Sequence, residues 1–230
     1  MSAQSITVKT EGGEFSAYLA SPGAERGPGI VILQEIFGIT KALRDVADGM
    51  ASRGFFVAIP DLFWRMERNV ELSDRADADR AKAFSLMGRF DGEKGVKDIQ
   101  ATINHLRGLG SAKVGTLGYC LGGMLAYLSA AGTDCDCAVS YYGVNIQDRL
   151  AEADRIRNPL MLHIAEGDEF VPPPAQEKIV AALGTNPHVT IHRYPQMKHA
   201  FARVGGMHYD KAMADLANIR SATFFRQNLS

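Results

Sequence analysis

The sequence predicts an α/β protein whose mostly parallel sheet is covered by helices on both faces. Two observations predict it. From residue 29 onward, short apolar β-rich runs alternate with longer segments of helical periodicity, the pattern of strands joined by crossover helices. In addition, 230 residues with 46% hydrophobic content and a net charge of −1 suffice for one sizeable core, without disulfide or metal support. The elements follow in order. Residues 6–10 and 15–20 flank Glu11-Gly12-Gly13-Glu14 and read as an opening hairpin, since glycine tolerates a tight turn. Residues 29–34 form a buried strand, 41–53 a helix, 55–60 a strand and 92–107 a helix. Four further strands are expected at 114–117, 138–142, 160–165 and 189–194, with helices at 122–131, 174–183 and 209–228. The stretch 64–89 is dense in Arg, Asp and Glu and reads as exposed helix over the sheet edge, its charges mostly a solvated face. With no internal repeat, low-complexity segment or long linker, residues 1–230 read as one domain.

Composition excludes several function classes. Lys plus Arg number 25 against 26 Asp plus Glu, and their alternation in sign along the chain argues against a nucleic-acid binder. The partner expected is a small molecule. The cysteines at 120, 135 and 137 leave one without a mate, and C-x-C without a second pair is a poor zinc signature. These features point to a reducing compartment, and the absence of a leader-like or membrane-spanning apolar run places the protein in the cytoplasm, off the membrane. A monomer is expected.

The chemistry concentrates in Gly118-Tyr-Cys120-Leu-Gly122-Gly123, a G-x-C-x-G elbow between strand and helix. A nucleophile on so sharp a turn needs small neighbours, and the first amides of the following helix favour both a thiolate and a developing oxyanion. Alone, the elbow reads equally well as a buried structural cysteine beside a helix-packing glycine pair. Two later strand ends supply context. Asp168 lies in the turn Glu166-Gly167-Asp168-Glu169 after 160–165, and His199 in the loop after 189–194. The order nucleophile, acid, histidine is that of α/β-hydrolases. His199 moves a proton near neutral pH, and Asp168 fixes its tautomer. His163, inside an apolar strand, reads as a core histidine, and His105, His188, His192 and His208 lack the strand-end setting.

Gln34-Glu35-Ile36-Phe37-Gly38 follows the strand at 29–34, where this fold supplies a second oxyanion amide. The Ile36 and Leu121 N–H groups are therefore the expected oxyanion hole. Glu35 beside them reads either as the thiol's proton acceptor or as a surface residue capping the next helix. Arg203, four residues beyond His199, is close enough to share the pocket mouth, and guanidinium binds carboxylate through paired hydrogen bonds. By spacing alone neither Arg203 nor Arg80 stands apart from solvated arginines.

The segments Q-E-I-F-G at 34–38, P-D-L at 60–62, G-Y-C-L-G-G at 118–123, Y-Y-G-V at 141–144, G-D-x-F-V-P at 167–172 and H-x-F-A-R at 199–203 resemble the dienelactone hydrolase family, the carboxymethylenebutenolidases. The resemblance runs nearly end to end. It implies a Cys120-His199-Asp168 triad that opens carboxylate-bearing lactones through an acyl-enzyme, of the dienelactone to maleylacetate type, in aromatic degradation and without metal or cofactor. It further implies that Glu35 receives the thiol proton once substrate is bound and that Arg80 and Arg203 grip the substrate carboxylate in a pocket that includes Phe37. Arg80 is carried over from a looser match. Phe84 and Ala200 depart from the family pattern, standing where its best-known members have tyrosine and serine. That puts substrate preference in question and suggests a more apolar pocket. Rival classes are a thiol esterase of broader specificity, a non-catalytic ligand receptor on the same fold, and a glutamine amidotransferase. The last shares only the elbow and expects glutamate two residues after the histidine, where this chain has Phe201.

Overall fold

The computed structural model describes residues 2–230. An eight-stranded sheet in the order β1-β2-β4-β3-β5-β6-β7-β8 organises them. Strands β1 (Ser2–Thr10) and β2 (Gly13–Ser21) form the hairpin, and β2 pairs antiparallel with β4 (Phe56–Pro60). The six strands β3 (Gly29–Leu33), β4, β5 (Val114–Tyr119), β6 (Cys137–Tyr141), β7 (Leu160–Ala165) and β8 (Val189–Tyr194) run parallel. Strands β3 to β7 are buried along their whole length, which is why their sequences are continuously apolar rather than alternating. The hairpin is longer than its apolar residues suggested. Residues 2–5 are polar and exposed, and they become strand because β2 offers them a complete antiparallel ladder.

Side-chain alternation along β5 sorts the helices. A side chain at Gly115 would strike Phe225 of α6 (Lys211–Leu229), whereas one at Gly118 would strike the start of α4 (Leu121–Gly132). Helix α3 (Gly92–Gly108), capped by Asp91 on the Glu93 and Lys94 amides, packs beside α4. Helix α1 (Lys41–Ala51) shares the α6 face, and the two flank a half-open cavity of about 650 Å3. Helix α5 (Pro173–Leu183) precedes β8.

The stretch 64–89 differs from its expectation in two respects. Residues 62–76 are turns and extended chain, because Asp61 accepts hydrogen bonds from the Phe63 and Asn69 amides and holds the loop folded. Only Asp77–Arg89 is helical (α2). This helix stands not over the sheet edge but beside the loops leaving the carboxyl ends of the strands, its Phe84 ring 6.2 Å from Phe170.

Register places Tyr119, Tyr141, His163 and His192 opposite one another on β5 to β8. Their rings form a row with centroid spacings of 4.9, 4.2 and 5.7 Å. His163 is buried there as a core residue, bonded to Tyr194 and to Ser221 of α6. Among the described residues no helix is long and apolar enough to cross a membrane.

Candidate active site

Chain order reverses between β3 and β5, and a crevice opens outside the carboxyl ends of strands at such a point. Cys120 follows β5 there with φ 57° and ψ −116°, a left-handed backbone that costs a non-glycine residue about 1–3 kcal/mol. The surroundings hold it in place. Its N–H donates to Tyr141 O, and its carbonyl accepts from Gly123 and Met124. The flanking glycines are required by space: a Cβ at Gly118 would lie 1.8 Å from Gly122 O, and one at Gly122 would lie 2.1 Å from Leu33 O. The Leu121 and Ile36 amides, expected as the oxyanion hole, donate to no acceptor among the described residues.

Asp168 and His199 meet across the loops after β7 and β8, with His199 Nδ1 2.8 Å from Asp168 Oδ2. The second Asp168 oxygen accepts from the Phe170 amide, which fixes the carboxylate. His199 Nδ1 therefore carries a proton toward Asp168, and Nε2 is the nitrogen that faces away from it. Burial alone would push the imidazole pKa down. The neighbouring Cys120 sulfur and the Asp168 carboxylate, through charge and hydrogen bonding, outweigh it and raise the pKa to about 10. The two acids flanking Asp168 in its turn point elsewhere or lie in solvent: Glu166 pairs with Arg193, and Glu169 is exposed.

Glu35 is buried, with Oε2 accepting from Arg203 Nη1 at 3.0 Å and Oε1 unpartnered. It is thus part of the site wall and not a surface cap. Phe37 lies under Arg203, whose guanidinium carbon is 5.3 Å from the ring centroid. Arg203 Nη2 donates to Asp74 Oδ2 at 2.6 Å, so both terminal nitrogens are engaged. Arg80 donates to the Asp74 carbonyl at 2.9 Å and pairs with Asp77. Both arginines converge on one residue, and each already pairs with an acid. Phe84 is 48% exposed and reaches the centre only through Phe170, whose ring is 4.8 Å from His199. Ala200 is buried with φ 62°.

Four contributors escaped the sequence reading. Tyr142 is fully buried, its ring 5.1 Å from His199 and its hydroxyl unpartnered. Burial and then the Glu35 charge push its pKa well up, so it stays neutral. Phe170 and Asp74 sit in stretches read as turn and solvated face. His208 lies in the loop before α6 and donates from Nδ1 to His199 O at 3.1 Å. Of these Tyr142 and Phe170 had a signal, their places in Y-Y-G-V directly after β6 and in G-D-x-F-V-P after β7. The large cavity between α1 and α6 shares Glu35, Tyr142 and Arg203 with this cluster but is lined by neither Cys120 nor His199. It lies behind the reaction centre.

A sheet of this order, with a left-handed cysteine after β5, an acid after β7 and a histidine after β8, defines an α/β-hydrolase. A structure from Klebsiella pneumoniae subsp. pneumoniae, assigned as a dienelactone hydrolase, matches the fold with a TM-score of 0.89 at 22% identity, covering 98% of each chain. At the sequence level the chain belongs to the dienelactone hydrolase family, whose model matches residues 15–229. It is 44% identical over 221 residues to a protein of Azospirillum brasilense assigned as a carboxymethylenebutenolidase, covering 94% of this chain and 95% of the relative. The carboxymethylenebutenolidase of Pseudomonas putida is 36% identical over 227 residues, covering 97% and 96% respectively. The protein is accordingly a hydrolase.

Proposed function

We propose that this hydrolase opens unsaturated lactones bearing a carboxylate, with Cys120, His199 and Asp168 acting through an acyl-enzyme. One observation carries the reading: a cysteine in a left-handed elbow lies beside a histidine already tied to a carboxylate. The free Glu35 Oε1 takes the thiol proton, and the His199 imidazolium stabilises the thiolate as its ion-pair partner. The sulfur attacks the ring carbonyl carbon, and the oxyanion lies between the Ile36 and Leu121 amides. Collapse breaks the ring C–O bond and leaves a thioester. The departing enolate, a good leaving group, receives its proton from His199. Neutral His199 then takes a proton from water, whose oxygen attacks the thioester carbon and expels the sulfur, and Glu35 returns its proton to Cys120. No step draws on a cofactor.

Arg80 and Arg203 supply the carboxylate recognition in this reading, and Phe37, Phe84 and Ala200 the apolar wall. The commitment of both arginines to acids favours a second reading, a thiol esterase that accepts uncharged esters equally well. Three free cysteines suit a reducing cytoplasm, and we take residues 1–230 to act as one catalytic domain and a monomer.

The test is rapid mixing with dienelactone and with an activated aryl ester, followed by mass analysis of the quenched protein. One equivalent of early product with an acyl adduct on the Cys120 peptide is expected, and Glu35→Gln is expected to slow that phase. An adduct on another residue, or none with turnover intact, overturns the mechanism.

A further inference from the structure

We propose that Asp74 is a specificity-determining residue: a built-in carboxylate occupying the place where a substrate carboxylate would engage Arg203. The proposal rests on the lactone and ester hydrolase reading above and deepens it.

The geometry is that of an occupied anion subsite. Asp74 Oδ2 lies 2.6 Å from Arg203 Nη2, and the Asp74 carbonyl accepts from Arg80 Nη1 at 2.9 Å. One residue thus engages both guanidinium groups that the family resemblance assigns to substrate. The side chains of Arg203 and Asp74 are each only 20% exposed, so solvent screens the pair less than a surface ion pair. The loop carrying Asp74 is also fastened. Ser73 N donates to Asp79, Arg75 N donates to Ser73 Oγ, and the Arg75 guanidinium donates to Gly205 O just beyond Arg203. These bonds hold Asp74 on Arg203.

Charge arithmetic gives the consequence. Arg203 and Arg80 contribute two positive charges, while Glu35, Asp74 and Asp77 contribute three negative ones. A bidentate arginine attracts a carboxylate because its two donors are free and its charge uncompensated. Here each terminal nitrogen of Arg203 already serves an acid and its charge is compensated, so a carboxylate ligand competes with Asp74 for the Nη2 side of the fork. Displacement leaves Asp74 without its partner and beside a second anion, so carboxylate-bearing ligands lose affinity that uncharged ones of the same shape keep. Glu35 is not the competing group, because it is buried and tied to the other nitrogen.

The experiment compares kcat/KM for a matched pair of aryl esters, one with a carboxylate and one without, in the wild type, Asp74→Asn and Asp74→Glu. Asparagine keeps the shape and removes the charge. The ratio of carboxylate to neutral ester is expected to rise about tenfold in Asp74→Asn, mainly through KM, and to stay near the wild-type ratio in Asp74→Glu. In parallel, calorimetry with benzoate and benzamide should show benzoate binding gaining about tenfold on benzamide in Asp74→Asn. An unchanged ratio, or equal losses for both esters and both ligands, overturns the proposal and leaves Asp74 a loop fastener. Should the wild type hydrolyse neither ester, the function proposed above fails, while the benzoate and benzamide comparison still decides the role of Asp74.

Discussion

His163 and His199 are both buried, 1% and 8% exposed, and each is hydrogen-bonded. Their protonation goes in opposite directions. His163 lies within β7, bonded at Nδ1 to the Tyr194 hydroxyl at 2.7 Å and at Nε2 to Ser221 at 2.9 Å. Both partners are neutral, so burial governs, helped by the charges of His192 and Arg220, and pushes its pKa well below the ordinary value. His199 also suffers burial, but Cys120 and Asp168 reverse the sign and raise its pKa to about 10. Burial alone therefore does not make a histidine reactive. What differs is an ionisable partner on each side, which occurs only in the loops beyond the strand ends.

The strongest way to break the contrast is to remove those partners. Cys120→Ala is expected to abolish ester and lactone turnover, and His199→Ala and Asp168→Asn to cost roughly 10³-fold or more in kcat. Cys135→Ala and Cys137→Ala, which alter thiols that burial has pushed up in pKa and out of reactivity, should leave steady-state rates largely intact. Normal rates in either His199→Ala or Asp168→Asn would refute the triad. His163→Leu should do the reverse, keeping turnover but losing about 1–3 kcal/mol in urea denaturation, since it strips partners from two buried hydroxyls. Stability should also fall as pH drops below about 6.5, because the unfolded chain then binds a proton that buried His163 refuses. His163→Gln should flatten that slope, and an unchanged slope would assign it to another group. The smallest effect sharpens the comparison by NMR titration. His199 is expected to titrate at lower pH in Cys120→Ala and in Asp168→Asn, because both removed groups hold its proton on, whereas His163 should stay neutral from pH 5 to 8.

The parallel core was legible in the sequence because strands buried on both faces leave an almost unbroken apolar signature, as at 160–165, whose bounds the structure repeats; the edge strand at 189–194 was legible instead from its β-branched and aromatic residues. The elbow was legible because a left-handed cysteine flanked by close backbone contacts forces glycine at 118 and 122. Asp74 was not legible. In sequence it is one acid among many, and only the fold of 62–76, held by Asp61 and not by helix propensity, carries it to Arg203. Arg203 was read as open for a ligand for the same reason: a guanidinium's partners, 129 and 168 residues away, leave no local trace.

The close approach at Gly122 reaches beyond the elbow. Its α-carbon abuts the carbonyls of Leu33 and Gln34, at the end of the strand leading to Ile36, while Leu121 next to it carries the other amide proposed to bind the oxyanion. The two donors come from segments 85 residues apart in sequence, yet a single missing methyl group sets the gap between those segments. In the proposed mechanism Gly122 is thus the spacer of the oxyanion hole. Any side chain there would push against the Leu33 and Gln34 carbonyls and so force the two segments apart.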